Sequence, residues 1–316
     1  MARQRRLDGM VGELADGMRL RAKSLIISVY GDAIVAHGGT IWLGSLIRLL
    51  EPLGLSERMV RTAVFRLSRD GWMTSFQVGR RSYYSLSEHG RRQFEGVYRR
   101  IYDMPRDPWD GRWLLLFVNC ERVEPRTRDA LRTQLGWQGF GAVSSNVLAH
   151  PAGDMDAVRP VLADLGVDET VVPMRGRAED MEGLAPQREM VRCCWDLDRI
   201  AETYNEFLDR FRPVLQVLQA EPESVSGETC FHLRMLLMHD WRRKLLRDPL
   251  LPEELLPADW PGTASRVLVR NLYRLLRGPS EQFLMDTGET ADGPLPEAAP
   301  FFYARFGGLS NGDGQA

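Results

Sequence analysis

Long hydrophobic runs are missing from this 316-residue chain. No segment reaches the roughly 18 uninterrupted apolar residues that a membrane-spanning helix needs. The start, MARQRRLDGMVGELADGMRLRAK, has basic residues but no apolar stretch of signal-peptide length. A cytoplasmic protein without a membrane partner is therefore expected. Cysteine is scarce too, with four residues in all. Cys120, Cys193, Cys194 and Cys230 fit no zinc spacing, and the adjacent pair would chelate one ion awkwardly. They read as small buried thiols, with no metal and no cofactor. Motif-bearing catalysis is also absent: there is no GxSxG, no Walker loop and no HExxH. The glycines of GWQGFGAV lack both the dinucleotide-binding spacing and its acidic partner. No internal repeat occurs, and none of these features suggests an enzyme.

What the chain does have is charge that is unevenly spread. The net charge of -2 conceals 17 Lys and Arg against 9 Asp and Glu in residues 1–100, and 24 against 34 in the remainder. A basic end joined to an acidic body suggests that the first hundred residues meet a polyanion. At this length two or three domains are the prior.

Periodicity divides the chain into zones. Residues 1–22 read as a flexible N-terminus. Residues 23–104 read as helix, helix, helix, hairpin, helix, with Ser24, Ser56 and Ser87 placed to cap helices and Gly71 to stop one. Residues 105–189 alternate strand and helix, beginning with the near-continuous apolar strand RWLLLFVNCE, which suggests a ferredoxin-like α/β domain. Residues 190–286 read as three long helices, 196–220, 226–247 and 262–286. The prolines of RDPLLPEELLPADWPG break the last two apart. The Gly- and Pro-rich stretch 287–316 reads as a disordered tail despite Phe301, Phe302 and Tyr303. The fold class expected is α+β and multidomain.

The segment SERMVRTAVFRLSRDGWMTSFQVGRRSYYSLSEHG carries the functional signal. At 100° per residue Val60, Ala63, Val64 and Leu67 share one face, which must be buried. Arg58, Thr62, Phe65 and Arg69 lie opposite, flanked by Arg61 and Arg66. A cationic helix followed by a hairpin with Arg80 and Arg81 at its tip is the layout of a winged helix-turn-helix on double-stranded DNA. Arginine suits the task because its fork can bridge guanine O6 and N7 or clasp phosphate oxygens. Ser56 starts the helix. Ser82, Tyr83 and Tyr84 line the return strand, so that one tyrosine packs inward while the other can offer a hydroxyl to phosphate.

Five stretches, in this order, resemble the PaaX family: KSLIISVYGD, WLGSLIRLLEPLGLSERMVRTAVFRLSRDGW, VGRRSYYSLSEHG, GFGAVSSNVLAHP and RDPLLPEELLPADWPG. The resemblance runs from about Lys23 to about Leu284. It implies a repressor of phenylacetate degradation with an N-terminal winged helix, a Cas2-like middle domain and a helical C-terminal domain. It also implies a homodimer released from its operator by phenylacetyl-CoA, and a twofold dimer calls for an operator that is an inverted repeat. The DNA-reading helix would be Ser56–Asp70 and the wing Gly79–Tyr84. A paralogous regulator answering to another thioester or phenylacetate derivative is the alternative within the family. A Mg²⁺-dependent nuclease is the alternative outside it, and would rest on Glu121 and Glu124 beyond the first strand.

The resemblance carries no ligand residues onto this chain, so local chemistry must suggest them. A CoA thioester needs cations beside an apolar slot. FHLRMLLMHDWRRK offers His232, Arg234, His239, Trp241, Arg242 and Arg243, against the plainer reading of a core helix with a solvated basic end. Arg126, Arg128 and Arg132 are a second possibility.

Overall fold

The computed structural model describes residues 2–103, 108–119, 121–179, 183–220 and 225–309. It divides into two compact units. One comprises Met1–Met104, Glu206–Arg243 and Thr263–Ala316, and the other comprises Pro105–Asn205 with Lys244–Gly262. The expected N-terminal domain (23–104) and most of the expected C-terminal helical domain (190–286) are thus parts of one body.

The first unit opens with α1 (Ala2–Gly17), whose Leu7, Val11 and Leu14 are buried. This spacing makes one apolar stripe. Arg3 Nη2 donates to Leu218 O at 2.6 Å, and Thr229 Oγ1 donates to Asp8 Oδ1 at 2.6 Å. The flexible N-terminus expected over 1–22 is therefore corrected to a docked helix. Next come α2 (Ala22–Val29), a π turn (Tyr30–Ile34) and a 3₁₀ turn (Val35–His37). Ser24 is not the cap of α2; Arg21 holds that position and makes no side-chain cap bond. β1 (Thr40–Trp42), α3 (Leu43–Leu50), α4 (Glu57–Arg69), β2 (Met73–Val78), β3 (Arg81–Leu86) and α5 (Glu88–Tyr102) complete the N-terminal part. The three strands form an antiparallel sheet in the order β1-β3-β2. Sequence periodicity missed β1, which is only three residues long.

The second unit contains β4 (Arg112–Val118), α6 (Pro125–Trp137), β5 (Gly141–Ala142), β6 (Val147–His150), α7 (Met155–Asp164) and β7 (Val171–Arg177). Sheet order is β5-β6-β4-β7, antiparallel throughout, which is the expected ferredoxin-like arrangement. The apolar run in β4 is nearly continuous because both faces find cover. Leu114, Leu116 and Val118 pack with Leu131 and Leu135 of α6 and Val158 and Leu162 of α7. Trp113 faces the other way, onto Val191, Trp195, Leu251 and Leu255. Val191 lies in α8 (Ala185–Cys194), Trp195 caps its end ahead of α9 (Leu197–Ala220), and Leu251 and Leu255 belong to the proline-broken loop, which makes a 3₁₀ turn at Glu253–Leu255. The thiols depart from expectation in one respect: Cys230 is buried but Cys193 is exposed. Cys120 lies outside the described residues.

From Glu206 the chain belongs again to the first unit, with the rest of α9, most of α10 (Gly227–Leu245) and α11 (Pro261–Thr287). The three helices match the expected spans closely. The disordered tail expected over 287–316 is a correction, because residues 288–309 are folded. β8 (Glu289–Thr290) pairs with β9 (Gly293–Pro294), and α12 (Pro300–Tyr303) leads to a 3₁₀ turn at Arg305–Gly307. Phe302, Arg305, Phe306 and Leu309 are buried. Glycine and proline content signalled irregular backbone there, and aromatic anchoring outweighed it. Residues 310–316 lie outside the described part. Among the described residues, no helix is long and apolar enough to cross a membrane.

At the centre of this unit lies Asp32, buried in the π turn. Arg234 Nε donates to Asp32 Oδ2 at 2.7 Å, and Tyr102 and Tyr273 hydroxyls donate to Oδ1 at 2.8 and 3.1 Å. Arg305 Nη1 donates to the Asp32 carbonyl at 2.7 Å, and its guanidinium stacks on Tyr102 at 4.1 Å. Arg234 also pairs with Glu281, which receives a His37 ring nitrogen as well. Burial raises the Glu281 carboxyl, but Arg234 and His37 outweigh it and hold it at about 2. Two carboxylates and two guanidiniums thus balance inside the core. Removing one partner of such a set strands a buried charge, at a cost of about 3–5 kcal/mol. Arg305→Leu is therefore expected to lower unfolding stability by about that much. Urea unfolding of the two proteins measures it, and a loss within ~0.5 kcal/mol, the range of ordinary surface changes, would refute the central role of the network.

Candidate nucleic-acid interface

Helix α4 begins at Ser56, whose hydroxyl accepts from Met59 N at 3.4 Å, and ends at Gly71 with φ of +76°. Its buried residues are Val60, Ala63, Val64 and Leu67, the expected set. Arg58, Arg61, Thr62, Phe65, Arg66 and Arg69 are exposed, Phe65 to 66%. Arg61 pairs with Glu57 one turn earlier at 2.7 Å, and Arg69 approaches Asp70 at 3.5 Å. Arg58 and Arg66 have no partner among the described residues.

The hairpin β2–β3 turns through Gly79 and Arg80, with Val78 opposite Arg81. Gly79 takes φ of +59°, as the first position of a two-residue hairpin turn requires. β2 is an edge strand, exposed from Thr74 to Val78. Tyr83 is only 3% exposed and stacks on Phe76, at 5.4 Å between ring centres. It is a structural residue of the sheet, which corrects its expected place at the DNA surface. Ser82 and Tyr84 are half-buried. The Tyr84 carbonyl accepts from Tyr30 OH at 3.0 Å, which ties the hairpin to the π turn.

Arg80 and Arg81 differ in a way the sequence did not reveal. Arg80 is exposed and has no partner among the described residues. Arg81 lies 4.2 Å from the centre of the Trp42 ring, and its Nη1 donates to Glu289 Oε2 at 2.5 Å. Glu289 Oε1 accepts from Arg48 Nη2 at 3.1 Å, and both arginines hold this exposed carboxyl below its ordinary range, Arg81 foremost. Ser45 Oγ donates to Thr287 O at 2.8 Å and accepts from Glu289 N at 3.1 Å, which fixes the C-terminal hairpin against α3. Trp42, Arg48 and Glu289 were all missed. Glu289 sits in a stretch taken for disordered, and an acid-arginine pair 208 residues apart leaves no local signature.

The expected ligand residues of α10, Arg243 apart, are engaged with other parts of the first unit. Arg234 is wholly buried in the Asp32 network. His232 Nε2 bonds with Leu49 O at 3.1 Å, and the Trp241 indole donates to Ile101 O at 3.1 Å. His239 Nδ1 and Ser28 Oγ share a hydrogen bond of 2.9 Å, and Arg242 donates to Ser28 Oγ and Ser24 O at 3.1 and 3.2 Å. These five side chains join α10 to the N-terminal part of the unit, and only Arg243 is exposed. Their positions correct the expected ligand site, because helical spacing groups residues on a face without saying what covers it. Arg132 of the second candidate group is spent on Ser145 O at 2.6 Å, while Arg126 is exposed and Arg128 half-buried. Glu121 and Glu124 are exposed beyond β4, and no cluster of three metal-ligating side chains occurs among the described residues.

Comparison with known proteins divides the chain into three consecutive segments. Residues 21–90 match the family described as PaaX-like protein, residues 106–191 the PaaX protein central Cas2-like domain, and residues 195–286 the PaaX-like protein C-terminal domain. The chain is 39% identical over 305 residues to the transcriptional repressor PaaX of Escherichia coli (strain K12), covering 96% of each chain. It also resembles the solved structure of the uncharacterized protein Rv0674 from Mycobacterium tuberculosis. That match has a TM-score of 0.54, 26% identity, and coverage of 82% of this chain and 96% of the other.

Two expectations follow from the geometry. Glu289 cancels charge on Arg48 and Arg81, so Glu289→Gln should tighten binding to any duplex and steepen its salt dependence by about one to two counterions. Arg80→Ala should make the slope shallower by about one, and Arg81→Ala by less. Fluorescence anisotropy at several salt concentrations measures all three. A Glu289→Gln slope equal to that of the natural protein would show that the carboxylate does not shield the hairpin. The second expectation concerns acid. Burial, with Arg242 and Arg243 nearby, lowers His239 to about 3 from an ordinary 6.5. The unfolded chain therefore takes up a proton below about pH 6.5 that the folded chain refuses, and stability falls as pH drops from 6.5 toward 3. One such group contributes a slope of about 1.4 kcal/mol per pH unit. Unfolding free energies measured from pH 7 to 5 should be flatter by that slope in His239→Gln, whatever its stability at neutral pH. Parallel profiles would mean that His239 does not titrate as its burial implies.

Proposed function

The chain belongs to the PaaX family, whose curated relative is a transcriptional repressor rather than an enzyme, and from that membership we propose a DNA-binding repressor of a phenylacetate-degradation operon. The observation that carries the DNA reading is the outer face of α4. Four arginines and an open phenylalanine stand on it, above a row of buried Val60, Ala63, Val64 and Leu67 that holds the helix firmly. A helix presented this way can enter a major groove, while Arg80 at the hairpin tip lies along phosphate, as in a winged helix-turn-helix. Arg58 and Arg66, which no carboxylate occupies, are the residues assigned to base edges. Arg61 and Arg69 first have to leave or share their acidic neighbours, and Thr62 and Ser56 are placed to donate to the backbone.

One such unit covers only a few base pairs, so specificity calls for two copies on an inverted repeat spaced by whole helical turns. The protein therefore acts as a homodimer in this reading. Its effector is an acyl-CoA, phenylacetyl-CoA by family resemblance, which prefers a form that cannot hold the operator. A hundredfold loss of operator affinity needs a preference of about 2.8 kcal/mol, well within what a bound ring and a few phosphate contacts can supply. Release need not depend on dimer geometry alone. The C-terminal hairpin that carries Glu289 already touches Arg81, so a change in that segment reaches the DNA surface directly.

Footprinting on DNA flanking the protein's own gene tests the proposal, with and without phenylacetyl-CoA. Two protected half-sites, lost when the thioester is added, are expected. Arg66→Ala should cost about 1–3 kcal/mol on the operator and relax preference at one base pair. Protection of a single half-site by one chain would remove the dimer, and an equal Arg66→Ala loss on random duplex would move that residue from base to phosphate.

A further inference from the structure

A cavity of about 610 Å³ opens between β1, β3 and α5 of the first unit. That volume is within the range of small-molecule sites and far above the voids of ordinary packing. Its apolar wall includes Phe94 and Tyr98 of α5 and Phe301 of α12. Arg91, Glu95 and Arg99 stand along α5 at intervals of four, which puts them on one side of the helix at the rim. All three are exposed, and neither arginine has a side-chain partner among the described residues. An apolar wall beside two exposed guanidiniums, whose two positive charges exceed the one negative charge of Glu95 between them, suits an aryl or acyl group attached to an anion.

The backbone around the cavity is irregular in a way that makes the space. The α2 helix widens into the π turn, a feature frequent at functional sites, and continues through Val35 to Gly38 and Gly39, both at positive φ. Gly31 in the π turn admits the Phe94 ring: a Cβ there would lie 2.4 Å from Phe94 Cε2. Tyr98 OH donates to the Phe301 carbonyl at 3.1 Å and accepts from Arg305 Nε at 3.2 Å, so the wall is tied to the buried charge network. Thr40 and Ser85, paired across β1 and β3, close the other side. The same two strands carry Trp42 and Arg81, and the segment that supplies Phe301 also supplies Glu289.

We infer that this cavity is the effector site, with the aryl or acyl group against Phe94, Tyr98 and Phe301 and the anion at Arg91 and Arg99. The placement rests on the repressor reading above for its link to DNA release, but not for binding itself. Occupancy bears on β1, β3 and the C-terminal segment, the elements that set Arg81 and its carboxylate partner.

Isothermal titration of the full-length protein with phenylacetyl-CoA, coenzyme A and phenylacetate tests it, alongside operator anisotropy. The Arg91→Ala, Arg99→Ala double variant changes only exposed side chains. It should bind phenylacetyl-CoA at least tenfold more weakly, with ligand-free operator affinity within twofold of the natural protein. Phe301→Ala should weaken the thioester while leaving coenzyme A binding unchanged, and Arg91→Lys, Arg99→Lys should restore most of the loss. Natural affinity in both the double variant and Phe301→Ala would overturn the site while leaving the effector reading intact. Absence of binding by all three probes would overturn both. Loss of binding in the variants, with a ligand that does not release DNA from the natural protein, would support the site and sink the effector reading. Phenylacetate that binds as tightly as the thioester, and weakens in the variants, would support the site with a free carboxylate as its ligand.

Discussion

The side chain of Asp32 is buried among two arginines and two tyrosines, and much of the first unit can be understood as the means of keeping it there. An isolated buried charge is costly enough that it must be met by opposite charge and hydrogen-bond donors on several sides. Arg234 comes from α10, Arg305 from beyond α12, Tyr102 from α5 and Tyr273 from α11. The farthest of these donors, Arg305, lies 273 residues from Asp32 in sequence. Satisfying one carboxylate therefore obliges the N-terminal part, the C-terminal helices and the last segment of the chain to fold as one body. Hydrophobic burial supplies most of the stabilisation there, as in any core, but it is not directional. The charge set specifies which helix faces meet.

That union changes how regulation can be pictured. A helical effector domain on a flexible connection could influence a hairpin only through the spacing of two subunits. Here Glu289 is already in contact with Arg48 and Arg81, and Phe301, a few residues later, lines a cavity that also touches β1 and β3. An acidic residue paired with Arg48 and Arg81 reduces the positive charge beside the hairpin, and moving it by a few ångströms changes the charge the hairpin presents.

The second unit obeys a different constraint. Its sheet is covered on one face by α6 and α7 and on the other by α8 and the loop around Leu251 and Leu255. A three-tryptophan edge, Trp109, Trp113 and Trp195, closes the second face, and the indoles of Trp113 and Trp195 donate to Gln187 and the Gly139 carbonyl. The loop is part of this core because its prolines, which prevent a helix, leave leucines free to point in one direction. Glu121 and Glu124 are exposed beyond β4 and belong to no cluster of three metal-ligating side chains among the described residues.

The sequence by itself determined the local elements whose signals lie within a few residues. The period of Val60, Ala63, Val64 and Leu67 gave the buried side of α4, and with it the exposed arginines. The Gly79-Arg80 dipeptide gave the hairpin, and strand-helix alternation gave the ferredoxin-like unit. Helical and strand periods are properties of neighbouring residues, so one chain read in order suffices for them. Only the tertiary structure decided which charged residues were free. Arg234 and Arg80 look alike in sequence, each an arginine on an element with basic neighbours, yet one is wholly buried against Asp32 and the other open to solvent. Tyr83 and Tyr84 differ by one strand position, and the partner strand settled which became structural. Glu289, Phe301 and Arg305 sit in a stretch whose composition suggests disorder, and it folds because the rest of the unit offers a carboxylate, two arginines and an aromatic wall. Whether a polar side chain serves packing or recognition depends on what lies across from it, and residues hundreds of positions away in the chain supply that.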